Sequence, residues 1–342
     1  MPLSRYFGVV LGLAAALSLT VSGQLIDAGT VLGAARAALG GEKKLSDVKT
    51  FVATGRTRQI RGNNLVPIEF EINCELPDRF VRTDQIPAQD TDPTVTGFNG
   101  DELIQVPPLS TGRGVGAAPG PGGRAAGPPP ANAGGRGGAP SPDGGRAGPP
   151  LTPAQQRVVA VKQDFARLTL GMFATSFASY PLTFKYAAQG EAPEGKADIL
   201  EVAGPANFSA RLVVQRETHL PVILIWQVPA TNVVLRIPGQ PPPNPVPPGA
   251  LVVDAPPPPA ATATQEERDR YAAAVANVRR QALAQAKPIE YRMYYADFRD
   301  VDGLKLPFRI RRAIAGETIE ETTFDRFRMN VKIDRRKFEA PK

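Results

Sequence analysis

A chain of 342 residues has room for one large domain or two small ones, and 36 prolines and 33 glycines cannot all sit inside regular structure. A formal charge of +7 comes with one histidine and one cysteine, His219 and Cys74. That scarcity leaves no disulfide framework and no recognisable zinc ligand set, and any serine or cysteine nucleophile would have to be built on His219.

The N-terminus predicts export. Met1 to Arg5 carries one positive charge, Tyr6 to Val21 is apolar, and Val21-Ser22-Gly23 places small residues before Gln24. This pattern reads as a signal peptide over 1–23, cleaved near Gly23/Gln24, because the apolar run is shorter than the ~20 residues of a spanning helix. No cysteine follows it, so a lipoprotein form is not expected.

A first helix is predicted over 27–39, stopped by Gly40-Gly41. Strands follow near 48–60, 65–76 and 79–85, then a hairpin over 94–106 turning at Asn99-Gly100. In "IEFEINCEL", Ile68, Phe70, Ile72, Cys74 and Leu76 alternate with polar residues. Cys74 therefore belongs to the apolar face of a half-buried strand, as an inert small hydrophobe. Residues 107–152 carry four arginines against one aspartate and almost no large apolar side chain. Such a segment cannot bury enough surface to offset the entropy of ordering, and is expected to be a disordered insertion.

Thr152-Pro153-Ala154-Gln155 forms a capping box with proline at the first helical position. The helix it opens places Val158, Val161, Phe165, Leu168 and Met172 at helical spacing. Strands return at 182–189, 197–203, 207–215 and 221–228. His219 falls in the polar link Glu217-Thr218-His219 between the last two and reads as a turn residue. Residues 228–262 contain "PGQPPPNPVPPG" and read as extended polyproline-like chain. A third helix over 265–286 opens on a second capping box, Thr264 to Glu267, and carries a thin stripe of Tyr271, Val275, Val278 and Ala282. With it, 228–287 forms a second insertion. The chain closes with strands at 288–299, 304–314, 317–328 and 330–334, and Asp302-Gly303 makes the tightest turn.

Strands joined by short turns exclude an alternating β-α-β plan. The expected fold is α+β: a strongly curved antiparallel sheet of about ten or eleven strands, an incomplete β-barrel covered by helices. Residues 24–342 form one domain, interrupted by the two long disordered insertions. Phe70, Ile72, Phe80, Phe165, Met172, Phe173, Ile223, Ile225, Phe308 and Ile310 are the apolar positions facing the interior. They either fill a core or line a cavity, and the sequence leaves both open. Glu320-Glu321 and Asp300/Asp302 read as solvated carboxylates. "GPGGRA" at 120–125 follows no strand and opens no helix, and the three "GGR" triplets lack interleaved aromatics. Nucleic acid is not an expected partner.

Four stretches taken in order carry a family likeness. They are "VKTFVATGRTRQI", "CELPDRFVRT", "VVQRETHLPVILIW" and the closing "VDGLKLPFRI" with "VKIDRRKFEAP". Together they resemble the periplasmic lipoprotein carriers and receptors of the LolA/LolB type. The resemblance implies a half-barrel with an apolar cavity for acyl chains, transport without chemistry, and no cofactor or metal. It further implies a periplasmic monomer that meets lipid or a lipidated protein, with transient contact at a membrane surface. Arg82 is the polar residue it would place in the cavity. The alternative is a structural or regulatory envelope protein that uses the same fold to bind a protein partner.

Overall fold

The computed structural model describes residues 27–61, 64–87, 89, 91–108, 151–193, 195–242 and 246–339. The expected signal peptide, 1–23, and nearly all of the 107–152 segment fall outside these. Helix α1 (Ala28–Leu39) starts where the Asp27 carboxylate accepts from the Thr30 N–H at 2.6 Å. It ends at Gly40, whose φ of 134° suits glycine. A short α2 (Glu42–Asp47), not anticipated from the sequence, follows at once.

Strands β1 (Thr50–Arg61), β2 (Asn64–Glu75), β3 (Arg79–Gln85), β4 (Thr94–Asn99) and β5 (Glu102–Val106) form an antiparallel meander. Its last turn uses Gly100 and Asp101, one residue later than expected, because Asn99 pairs with Glu102. Helix α3 (Pro153–Phe173) opens on the foreseen reciprocal cap. Thr152 Oγ1 accepts from Gln155 N at 3.2 Å, and Gln155 Oε1 accepts from Thr152 N at 2.8 Å. A second meander follows: β6 (Thr183–Ala192), β7 (Gly195–Gly204), β8 (Phe208–Gln215) and β9 (Pro221–Val228). His219 sits in the β8–β9 turn at φ 58°, its N–H bonded to the Gln215 carbonyl at 2.8 Å, as a turn residue should.

The 228–262 segment is not continuous extended chain. β10 (Val233–Arg236) and β11 (Leu251–Asp254) pair in parallel as a separate two-stranded sheet. The short β-branched runs "VVLR" and "LVVD" supply what the prolines around them cannot, a backbone free to donate. Helix α4 (Gln265–Gln285) packs on this pair and buries no residue of its own, as its thin stripe predicts.

β12 (Ile289–Val301), β13 (Leu304–Ile314) and β14 (Glu317–Met329) complete a twelve-stranded antiparallel sheet. Its order is β5-β4-β3-β2-β1-β14-β13-β12-β9-β8-β7-β6, curved and unclosed. Asp302 and Gly303, at φ 56° and 78°, form the two-residue turn of the kind Asp-Gly predicts. Pro307 lies in the interior of the sheet, yet the β13–β14 ladder begins only at Arg309, so no β14 bond needs its missing N–H. The strand expected at 330–334 is unpaired chain. Asp334 caps a 3-10 helix, Arg335–Phe338, and Phe338 is buried against Val81 and Ile104 on the outer face.

The inner face carries α1, α3 and the main core. α3 comes close because Gly171 has no side chain. A Cβ there would stand 2.3 Å from the Tyr295 ring, and Tyr295 is fixed by its hydroxyl, which donates to the Arg167 carbonyl. Cys74 is fully buried in this core, and burial pushes its thiol well above the ordinary range. In native buffer it should stay unmodified by a water-soluble thiol reagent, and one thiol per chain should react in guanidinium. Native labelling at the rate of free cysteine would contradict this packing.

Candidate functional site

The inner face changes character along its strands. On β1 it reads Phe51, Ala53, Gly55, Thr57 and Gln59, passing from apolar to polar. β14 and β13 repeat the change, from Phe324 to Thr322 and Glu320, and from Phe308 and Ile310 to Arg312. Register brings these ends side by side: Thr57 faces Thr322, Gln59 faces Glu320, and Arg312 pairs with Glu320 on one side and Met293 on the other. On β3, Arg82 and Asp84 continue the polar band toward Thr96 and Thr94 of β4.

The N-terminal half of α3 spans this band without filling it. Between them lies a cavity of about 410 Å³. Ile68, Ile72, Phe80, Leu168, Met293 and Ile310 are among its apolar walls. Its polar walls come from Thr57, Gln59, Arg82, Asp84, Arg312, Glu320 and Thr322, with Arg157 and Asp164 on the helix side. Exposed Gln89, Thr91 and Asp92 mark the rim.

The charges inside are mostly tied to one another. Arg82 pairs with Asp84 at 2.7 Å, donates to Thr57 Oγ1 at 3.0 Å, and lies over the Phe70 ring at 4.6 Å. The Thr57 and Thr322 hydroxyls are 2.9 Å apart. Asp164 accepts from Arg167 at 2.9 Å and from Arg312 at 3.3 Å. Burial pushes the Arg167 guanidinium down; at Arg312 burial acts the same way, but the Glu320 and Asp164 carboxylates outweigh it. Arg157 donates to Gln105 Oε1 at 3.2 Å. This arrangement can hold a ligand that is apolar at one end and hydrogen-bonding at the other. Among the described residues, no group of three His, Cys, Asp or Glu side chains could hold a metal ion, and no helix is long and apolar enough to cross a membrane.

Of the interior positions named from the sequence, Ile72, Phe80 and Ile310 stand on the cavity wall, and so does Arg82. Phe70, Phe165, Met172, Phe173 and Phe308 lie in the packed core beside it. Ile223 and Ile225 are on the other face of the sheet, clustered with Ala197 and Val213, while Leu224, Trp226 and Val228 take the inner positions. β9 is apolar at nearly every residue, so its sequence carries no parity; register with β12, Ile223 to Tyr294 and Ile225 to Arg292, decides it. Apart from Arg82, the polar wall was not named in advance. Its signal is present as polar residues on the inner parity at one end of three strands, and Glu320 is one of them.

A second cavity, about 300 Å³, opens near the other end of α3. Leu45, Val48, Leu76, Pro77, Phe173 and Phe177 form its apolar walls. Arg36 and Glu42, paired at 2.5 Å, stand at it with Ser46 and Lys49.

No family model matches the sequence, and no curated protein does. Several solved structures are similar, three of them as follows. A LolA superfamily protein from Nitrosomonas europaea is 9% identical over 92% of this chain and 98% of that one, with a TM-score of 0.45. A DUF1329 family protein from Desulfovibrio piger is 6% identical over 91% and 96%, with a TM-score of 0.38. A domain described as an outer membrane lipoprotein-sorting protein, from Vibrio parahaemolyticus, is 6% identical over 90% and 95%, with a TM-score of 0.40. The superfamily of the first is the one the sequence motifs resemble.

Proposed function

We propose that this chain is an exported, non-enzymatic binding protein of the periplasm that holds an amphiphile, a lipid or the lipid-modified end of a protein, in the cavity beneath α3. One observation supports this reading above the others: the inner face grades from apolar to hydrogen-bonding across a cavity of about 410 Å³. That volume lies within the range of small-molecule sites, roughly 300–1,000 Å³. The apolar part of the ligand lies against Ile72, Phe80, Leu168 and Ile310. Each methylene removed from water contributes ~0.8 kcal/mol there. The head faces Thr57, Gln59, Glu320 and Thr322. This differs from the purely apolar acyl chamber implied by the sequence resemblance, because burying hydrocarbon against Arg82 and Arg312 would strip those groups of water for nothing in return.

Native mass spectrometry of protein purified from its host should show a co-purifying lipid. Leu168→Trp fills the cavity from the helix side and should weaken binding of a fluorescent fatty-acid analogue by about tenfold or more, with the unfolding midpoint little changed. A wholly ligand-free mass, together with unaltered analogue binding in Leu168→Trp, would sink the proposal. A second reading, a module that binds a protein partner, draws on the exposed Ile237, Val252 and Leu283 around the β10–β11–α4 unit. Deleting 228–287 should then abolish capture of a partner in pull-downs and leave lipid binding intact.

A further inference from the structure

The two cavities lie near opposite ends of α3, and a run of aromatic ring contacts leads from one to the other. Phe80, a wall of the larger cavity, has its ring centroid 5.5 Å from that of Phe165. Phe165 is 5.8 Å from Phe177, and Phe177 is 5.7 Å from Phe173. Phe173 and Phe177 are themselves walls of the smaller cavity. Phe165 and Phe173 are fully buried on a 21-residue helix and cannot leave without moving it. Phe177 differs: it is half-buried and sits on the connection between α3 and β6. That connection is pinned on either side of it. Ser176 Oγ accepts from the Leu182 N–H at 2.7 Å, and the Tyr180 hydroxyl donates to the Pro205 carbonyl at 2.6 Å. Phe177 is itself bridged to Tyr180, whose N–H donates to the Phe177 carbonyl at 3.0 Å, so its backbone is held and the ring turns about its own side-chain torsions.

We propose that the two cavities are the ends of one binding tunnel for a single linear hydrocarbon chain, and that Phe177 is its stopper. The inference rests on the binding function proposed above and specifies the ligand: a chain long enough to pass Phe165 when Phe177 turns outward. The methylenes replace the displaced ring, apolar group for apolar group, so the packed interior is restored when the chain is in place. Its end then lies between Leu45, Val48, Leu76 and Pro77, while the head stays in the band of Thr57 and Glu320. Short chains never reach the stopper and bind in the larger cavity alone.

The test is isothermal titration of the full mature chain with monoacylglycerols of increasing length, from decanoyl to stearoyl. Affinity of the unmodified protein should keep rising through the longest members. Ser46→Trp places an indole in the smaller cavity from an exposed position and should weaken the longest chains by about tenfold while leaving decanoyl binding unchanged. Phe177→Ala removes the stopper and should strengthen the longest chains selectively. A length series that plateaus early and is identical in both variants would overturn the tunnel while leaving the larger cavity a binding site. No binding at any length would overturn the binding function itself, and the tunnel with it.

Discussion

Gly55→Ala should lower the stability of this protein by about 3 kcal/mol, a large loss for adding one methyl group. An added Cβ would lie 2.2 Å from the Thr323 carbonyl oxygen, 2.8 Å from Phe70 Cζ and 2.9 Å from Phe324 Cα. Two of those three neighbours are backbone, so no rotamer change can relieve the clash. β1 and β14 would have to part at the middle of the sheet. The position is already irregular, for the β1–β14 register shifts between Thr54 and Gly55. Glycine lets Phe70 lie across β1 and meet Phe324 edge-on at 5.4 Å between centroids. Gly33→Ala is the control. Nothing lies within 4 Å of its would-be Cβ in α1, and alanine should be neutral or stabilising by up to about 1 kcal/mol. Urea unfolding of the two variants decides the matter. A Gly55→Ala midpoint close to that of the unmodified protein would mean that the strands are not packed as described.

The architecture was legible in the sequence because its signals are local, while the site was not. Helix caps, turn dipeptides and period-two runs are local signals, and they placed α1, α3, α4 and nearly every strand within a few residues. Thr152 and Gln155, or Asp302 and Gly303, act on their own neighbours, so their chemistry can be read without knowing what lies across the sheet. The cavity depends on strands far apart in the chain. Thr57 meets Thr322 only after β1 has paired with β14, and Arg312 reaches Asp164 only once α3 has settled on Tyr295. Glu320 read as a solvated carboxylate because alternation assigns it to one of two faces and does not say which one is enclosed. β9 failed more completely: with apolar residues on both parities, Ile223 and Leu224 are equivalent until β12 fixes the register. β10 and β11 were hidden by the prolines around them, since two four-residue strands give too short a pattern to stand against that composition.

The charged end of the interior yields the other large effect, and it is asymmetric. Asp164→Ala should cost about 3 kcal/mol, whereas Arg167→Met should cost about 1 kcal/mol or less. Asp164 is the carboxylate shared by two guanidinia, Arg167 at 2.9 Å and Arg312 at 3.3 Å. Its own side chain is 35% exposed, but that of Arg167 is only 5% exposed. Without Asp164, Arg167 keeps a hydrogen bond to Gln163 and its place over the Trp226 and Phe208 rings, and has no other ion-pair partner among the described residues. A buried cation left in that state bears the full penalty of lost hydration. Arg312 is affected less, because Glu320 stands opposite it and its side chain is 23% exposed. Arg167→Met reverses the situation. It removes the buried charge, along with an Nε that has no acceptor among the described residues, and keeps apolar volume against Trp226. Asp164 then retains Arg312. Chemical denaturation of both single variants and of the double variant measures the coupling directly. The double variant should be more stable than Asp164→Ala alone, since deleting Arg167 cancels the charge that Asp164 was needed to balance. If the two losses simply add, the network is not what holds α3 against β13.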